Sequence, residues 1–206
     1  MTNRLVPEVQ AFVEGLELSS IPQERRDILS NLAAFIQAKV EKKEKINLNF
    51  ICTHNSRRSQ LCQVWAQAAA YYSGVENLQA FSGGTEATAF HPNAIQALAS
   101  SGFDIAKEDK AENPIYTIRY AQNTHPLRCY STVYDDPSNA APFVAVMTCS
   151  DAETNCPFIP EAEARFSVKY QDPKKSDGTP LQESVYAERS RQIATEMMYL
   201  FSEVKK

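Results

Sequence analysis

Two stretches near the start of the chain, residues 8–18 and 22–44, carry apolar residues at three- and four-residue steps. In the second, Ile28, Leu29, Leu32, Ile36 and Val40 repeat at that spacing, which predicts an amphipathic helix. It closes in the charged run EKKEK, which reads as a solvated helix end or linker. Residues 1–45 thus form a helical extension without visible chemistry.

From Ile46 the pattern changes. INLNFI reads as a strand and SQLCQVWAQAAAYYSG as a helix ended by Gly74. LQAFSGG is a second strand, and PNAIQALASSG a helix with Pro92 at its start and Gly102 at its end. FVAVMT is a short apolar run suited to a parallel strand buried on both faces. ARFSVKYQ is a further strand, and residues 180–204 form a closing helix with Val185, Ile193, Met197 and Leu200 inward. Strands alternating with helices predict an α/β fold, a mostly parallel sheet covered on both sides. One segment interrupts the alternation. PIYTIRYAQNTHPLRCYSTVY, residues 114–134, is rich in β-formers around a QNTHP turn and predicts an inserted β-hairpin, within an insertion spanning about 112–142.

Composition narrows the function classes. The 206 residues, 43% hydrophobic, suffice for one good core, so residues 46–206 read as one domain with an appendage. A net charge of −4 argues against a general nucleic-acid surface or a polybasic membrane surface. No apolar run approaches the roughly 18 residues that span a bilayer. The N-terminus lacks the apolar core of a secretory signal. Five cysteines, an odd number in a chain of this size, fit a reducing cytoplasm and working thiols better than a disulfide framework.

The chemistry concentrates at CTHNSRRS, residues 52–59, directly after the first predicted strand. A loop leaving a strand and entering a helix gathers inward-pointing backbone N–H groups, and with the helix N-terminus these form an anion site. Thr53, His54, Asn55, Ser56, Arg57, Arg58 and Ser59 make up that loop. Cys52 opens it as the candidate nucleophile. Arg58 brings a planar fork that matches two oxygens of a tetrahedral anion. Ser59 can donate a proton to the thiolate, and Asn55 can brace the loop in a left-handed backbone. His54 is assigned no catalytic role, and Arg57 adds positive potential at the mouth.

A second thiol pair lies in VMTCSDAETNCP, with Cys149 at the end of another buried strand and Cys156 seven positions on. Ligands of open α/β sheets bind beyond the carboxyl ends of the strands, so Cys52 and Cys149 should share one rim. Two thiols beside a sulfur nucleophile invite exchange. The polar SDAETN between them suggests exposure and mobility. A zinc site is disfavoured because the spacing is wide and nothing completes a ligand set, so no metal is expected. Cys62 and Cys129 read as bystanders. For a general acid, Asp172 in YQDPKKSDG follows a strand whose end faces the same rim, whereas Asp136 is a rival in an ordinary Asp-Pro turn.

CTHNSRRS resembles the phosphate loop of the low-molecular-weight protein tyrosine phosphatase superfamily, Cys-x5-Arg-Ser near the start of a four-stranded parallel sheet. SGGTEA and HPNAIQAL look like its next strand and helix. MTCSDAETNCP and YQDP resemble the thioredoxin-coupled arsenate reductases of that fold. The likeness covers roughly residues 46–111 and 143–204. It implies a doubly wound sheet, Cys52 as nucleophile, Arg58 as oxyanion clamp, Asp172 as acid, Cys149 as attacking thiol and Cys156 as resolving thiol. It also implies electrons from thioredoxin and no bound cofactor. His54 stands where the family usually has Gly, and Arg57 where it often has Cys.

Three functions are compatible with these residues. Arsenate reduction by a relay of Cys52, Cys149 and Cys156 leads. A phosphatase of the same fold needs Cys52, Arg58 and Asp172 but neither extra thiol. A non-catalytic anion- or thiol-sensing module needs only the loop. The N-terminal helices and the insertion lie outside the resemblance and are candidates for covering the site or for a dimer contact.

Overall fold

The structure is a computed structural model that describes residues 3–108, 111–155 and 158–205. Its centre is a parallel sheet of four strands in the order β2-β1-β6-β7. These are β1 (Ile46–Cys52), β2 (Leu78–Gly84), β6 (Phe143–Met147) and β7 (Ala162–Ser167). β1 lies between β2 and β6, with Cys52 opposite Gly84 and Ile51 opposite Met147. The side chains of β6 alternate between two clusters. Val144 and Val146 join Leu48 and Phe50 in the large core, while Phe143, Ala145 and Met147 join Ile51 on the other face. That two-sided burial is why FVAVM reads as an unbroken apolar run.

The large core is covered by α3 (Arg58–Ser73), which enters directly from the loop after β1, and by α6 (Gln182–Ser202). Gly74 ends α3 in the left-handed region at φ 70°, a position that favours glycine. Along α6, Ile193, Met197 and Leu200 are fully buried as expected, while Val185 is only half-buried and its neighbour Tyr186 turns inward instead. The opposite face is covered by the short α5 (Ser150–Asn155) and by Tyr134.

The extension forms α1 (Pro7–Glu14) and α2 (Gln23–Glu41), and both pack onto this unit. Val9, Leu29, Leu32 and Ile36 are fully buried, Phe12 stacks on Trp65, and Arg25 pairs with Glu196 at 2.6 Å. Burying each such aliphatic side chain contributes about 1.5–3 kcal/mol. The apolar stripe of α2 is consumed within one chain.

Between α4 (Pro92–Ser100) and β6 lies an antiparallel sheet of β3 (Asp104–Lys107), β4 (Tyr116–Arg119) and β5 (Leu127–Cys129). β4 and β5 form the expected hairpin. β3, which the periodicity of four mostly exposed residues does not announce, adds a third strand. Two asparagines on β1 hold the returning end of the insertion: Asn49 Nδ2 donates to Tyr134 O and Asn47 Nδ2 to Pro142 O, each at 2.9 Å. Among the described residues no helix is long and apolar enough to cross a membrane.

Candidate active site

Cys52 ends β1 and is 3% exposed. The chain then curls over the end of β2 and enters α3 at Arg58. Gly84 makes that close passage possible, because a Cβ there would lie 2.7 Å from Thr53 O and 2.8 Å from Asn55 N. Asn55 sits at φ 45°, the left-handed region that asparagine tolerates. None of the backbone N–H groups of His54 through Ser59 donates to another group among the described residues. Buried donors are normally satisfied, so this cluster is suited to an anion.

A hydrogen-bond chain fixes the thiol. Asn55 Oδ1 accepts from Thr132 N at 2.8 Å and from Gln60 Nε2 at 3.1 Å, so its Nδ2 must face the other way. That Nδ2 donates to Ser59 Oγ at 2.9 Å. Ser59 Oγ lies 3.0 Å from Cys52 Sγ, placed to donate its proton when the sulfur is a thiolate. Asn55 and Ser59 are both fully buried, which strengthens such a network. Thr132 belongs to the insertion, and so does Ser131, whose Oγ donates to His54 O at 3.0 Å. The insertion thus backs the loop, a role its sequence does not signal.

The polar groups of Ser56, His54 and Arg57 are engaged away from the thiol. Ser56 Oγ donates to Ala89 O at 2.6 Å, and His54 Nε2 lies 3.3 Å from Glu86. Arg57 departs from its sequence reading. Its Nε donates to Tyr186 OH at 2.6 Å and its Nη2 to Asp177 Oδ2 at 2.8 Å, so the guanidinium is engaged away from the thiol. Of the loop's side chains expected to bind an anion, those of Arg58 and Ser59 remain directed to the Cys52 region, while His54, Asn55, Ser56 and Arg57 lend it backbone N–H groups.

Arg58 Nη2 donates to Asp172 Oδ2 at 2.6 Å and Nη1 to Tyr170 O at 3.2 Å. Asp172 also accepts from Lys174 N at 3.0 Å, capping a 3-10 turn at Pro173–Ser176. Cys52, His54, Ser56, Arg57, Arg58 and Asp172 line one small cleft. Asp136 accepts from Ser138 within its own turn. A larger cavity of about 590 Å³ lies between β2 and the insertion, but no thiol or carboxylate lines it, so the chemistry belongs to the cleft.

Cys149 follows β6, whose neighbour in the sheet is β1, and Thr148 N donates to Ile51 O at 2.8 Å. Its thiol lies 3.6 Å from Thr53 Oγ1, next along the chain from Cys52, and accepts from Ala152 N at 3.3 Å. In the helical SDAETN, Ser150, Asp151 and Thr154 are exposed as the polar composition suggests, but the Cys149 thiol itself is 1% exposed. Buried Ala152 explains the difference: it anchors α5 into the small cluster beside Cys52. Cys156 lies outside the described residues. Burial pushes the Cys129 thiol up to about 12 and that of Cys62 well above its ordinary value, with Glu196 adding to the latter, so both stay protonated.

No protein-family profile matches the chain. Among curated proteins, it is 27% identical to an arsenate reductase of Bacillus licheniformis over 159 residues, 77% of this chain and 96% of that protein. It is 29% identical to an arsenate reductase of Oceanobacillus iheyensis over 130 residues, 63% of this chain and 76% of the other. Among solved structures, a YwlE mutant from Bacillus subtilis superposes with TM-score 0.55 at 16% identity, covering 79% of this chain and all of that one. A low-molecular-weight protein tyrosine phosphatase from T. tengcongensis gives TM-score 0.53 at 16% identity, with 78% of this chain and all of that one covered. The chain is thus similar in sequence to curated arsenate reductases and shares its fold with low-molecular-weight protein tyrosine phosphatases, and both groups are enzymes.

Proposed function

We propose that the protein reduces arsenate to arsenite through a relay of three thiols. The observation that carries this reading is the placement of Cys149, just past the end of the strand beside that of Cys52, with its thiol against Thr53. In the first step Cys52 Sγ attacks the arsenic of arsenate, held by the N–H groups of His54 through Ser59 and by the fork of Arg58. A sulfur–arsenic bond forms, and an oxygen leaves as water after taking a proton from Asp172. Cys149 then attacks Cys52 Sγ. The sulfur–sulfur bond forms as the sulfur–arsenic bond breaks, and its electron pair stays on arsenic, which leaves as arsenite. Cys156 exchanges into the disulfide, freeing Cys52, and a dithiol reductant of the thioredoxin type reduces the Cys149–Cys156 bond. The site that reductant must reach requires α5 to loosen.

The relatives named arsenate reductase support this substrate. A phosphate monoesterase is the second reading, because Cys52, Ser59, Arg58 and Asp172 are assembled without any contribution from Cys149. The two separate in one assay. NADPH oxidation is followed with arsenate, thioredoxin and thioredoxin reductase, for wild type and Cys156→Ser. Repeated turnover in the wild type that stops after one cycle in the variant is the expected result. Hydrolysis of an aryl phosphate at equal rates by both, without arsenate-driven oxidation, would establish the phosphatase instead.

A further inference from the structure

The adjacent arginines of the loop grip opposite ends of one turn. Arg58 holds Asp172 at the start of the 3-10 turn Pro173–Ser176, and Arg57 holds Asp177 at its end. The two grips differ. Among the described residues, Asp172 relies on Arg58 alone for a side-chain partner, through one oxygen. Asp177 is bonded by Arg57 Nη2 and by Tyr186 OH, each at 2.8 Å, and Arg57 Nε donates to the same hydroxyl at 2.6 Å. Asn93 Nδ2 donates to its Oδ1 at 3.4 Å, and His91 Nε2 lies 3.7 Å away. Fully buried Tyr186, on α6, anchors this end to the rigid core.

An arriving tetrahedral oxyanion disturbs only the Asp172 end. It competes for the Arg58 fork, and it sets negative charge beside the Asp172 carboxylate, so both effects push the start of the turn outward. We propose that Arg57 is a positioning residue: with Asp177 and Tyr186 it latches the acid-bearing turn in place while Arg58 transfers from Asp172 to the anion. Asp172 then stays beside the bound anion, released from its ion pair and free to carry the proton the first step consumes. The proposal rests on the reading of Cys52–Ser59 as an oxyanion site.

Lys174 and Lys175 are exposed within the turn, so trypsin reports its opening. Limited proteolysis is run with and without inorganic phosphate on wild type, Arg57→Ala, Asp177→Asn and Tyr186→Phe, with cleavage mapped by mass. Protection of Cys52 from iodoacetamide is measured in parallel to report phosphate binding. The expected result is that phosphate leaves wild-type cleavage after Lys174 and Lys175 nearly unchanged. It accelerates that cleavage at least about tenfold in Arg57→Ala and Asp177→Asn, and less in Tyr186→Phe. Phosphate that still protects Cys52 in the variants without accelerating cleavage at the turn overturns the latch. So does acceleration spread over all tryptic sites. Failure of phosphate to protect Cys52 in the wild type refutes the oxyanion site itself, and the latch with it.

Discussion

The two thiol-bearing segments at the sheet rim are built in opposite ways. The Cys52–Ser59 loop has Cys52, Asn55, Ser56 and Ser59 buried and is bonded from behind by Thr132, Ser131 and Gln60, with Gly84 pressed beneath it. Cys149 sits at a strand end too, but it leads into a six-residue helix tied down by Ala152, by Arg165 on Glu153 O and by a half-exposed Lys169–Glu153 pair. In the proposed relay the first segment keeps its shape around an anion, and the second holds a thiol that has to move. Site precision and thiol delivery are thus assigned to separate pieces of chain.

Removing the two thiols should break the comparison most sharply. Cys52→Ser is expected to abolish both arsenate turnover and any aryl phosphate hydrolysis, by more than about a thousandfold. Cys149→Ser is expected to lose arsenate turnover as completely, while phosphate still protects Cys52 from iodoacetamide, measured by the rate of labelling. Equal loss of anion binding in Cys149→Ser would place that thiol in the cradle and erase the distinction.

The next largest effect concerns stability. Asn55→Ala leaves Thr132 N, Gln60 and Ser59 without their shared partner in a buried network, so a loss of about 2–4 kcal/mol is expected in urea denaturation. Glu153→Gln, which removes the charge that pairs with partly exposed Lys169 and also meets Ser167 and Arg165, should cost less than about 1 kcal/mol. Ser59→Ala tests the chain's last link. It should lower kcat about tenfold or more with little change in KM, because the hydroxyl contacts the thiol and not the loop's N–H groups.

The smallest effect is a pH dependence at the latch. Burial opposes the Asp177 charge, but Tyr186 and Arg57 outweigh it and hold the carboxyl below its ordinary range. Its contribution is therefore complete above the ordinary carboxylate value and fades as pH falls through the lowered one. Burial and Arg57 hold His91 below its ordinary value, so it weakens the fold in the same direction once the medium is more acidic than an unfolded histidine. Thermal melts should show Asp177→Asn losing part of the acid-side decline.

Much of the fold is legible in the sequence because FVAVM is apolar on both faces and LQAFSGG, closed by two glycines, matches β2 residue for residue. The nucleophile loop is legible because Cys, Asn, Arg and Ser stand at fixed offsets behind a strand. What is hidden is hidden for physical reasons. β3 is mostly exposed and carries no period-2 alternation. Arg57 looks solvated until α6 brings Tyr186 beside it from 129 positions away. Thr132 acts through its backbone N–H, which side-chain identity does not announce.

The central claim is that Cys149 attacks Cys52 directly. Cys156→Ser protein is mixed with arsenate, quenched in acid with a thiol-blocking reagent, digested without reduction and examined by mass spectrometry. The account predicts a peptide pair joined by a Cys52–Cys149 disulfide, with arsenite released in equal amount. Arsenite released with Cys149 recovered as blocked thiol, and no cross-link to Cys52, would contradict it.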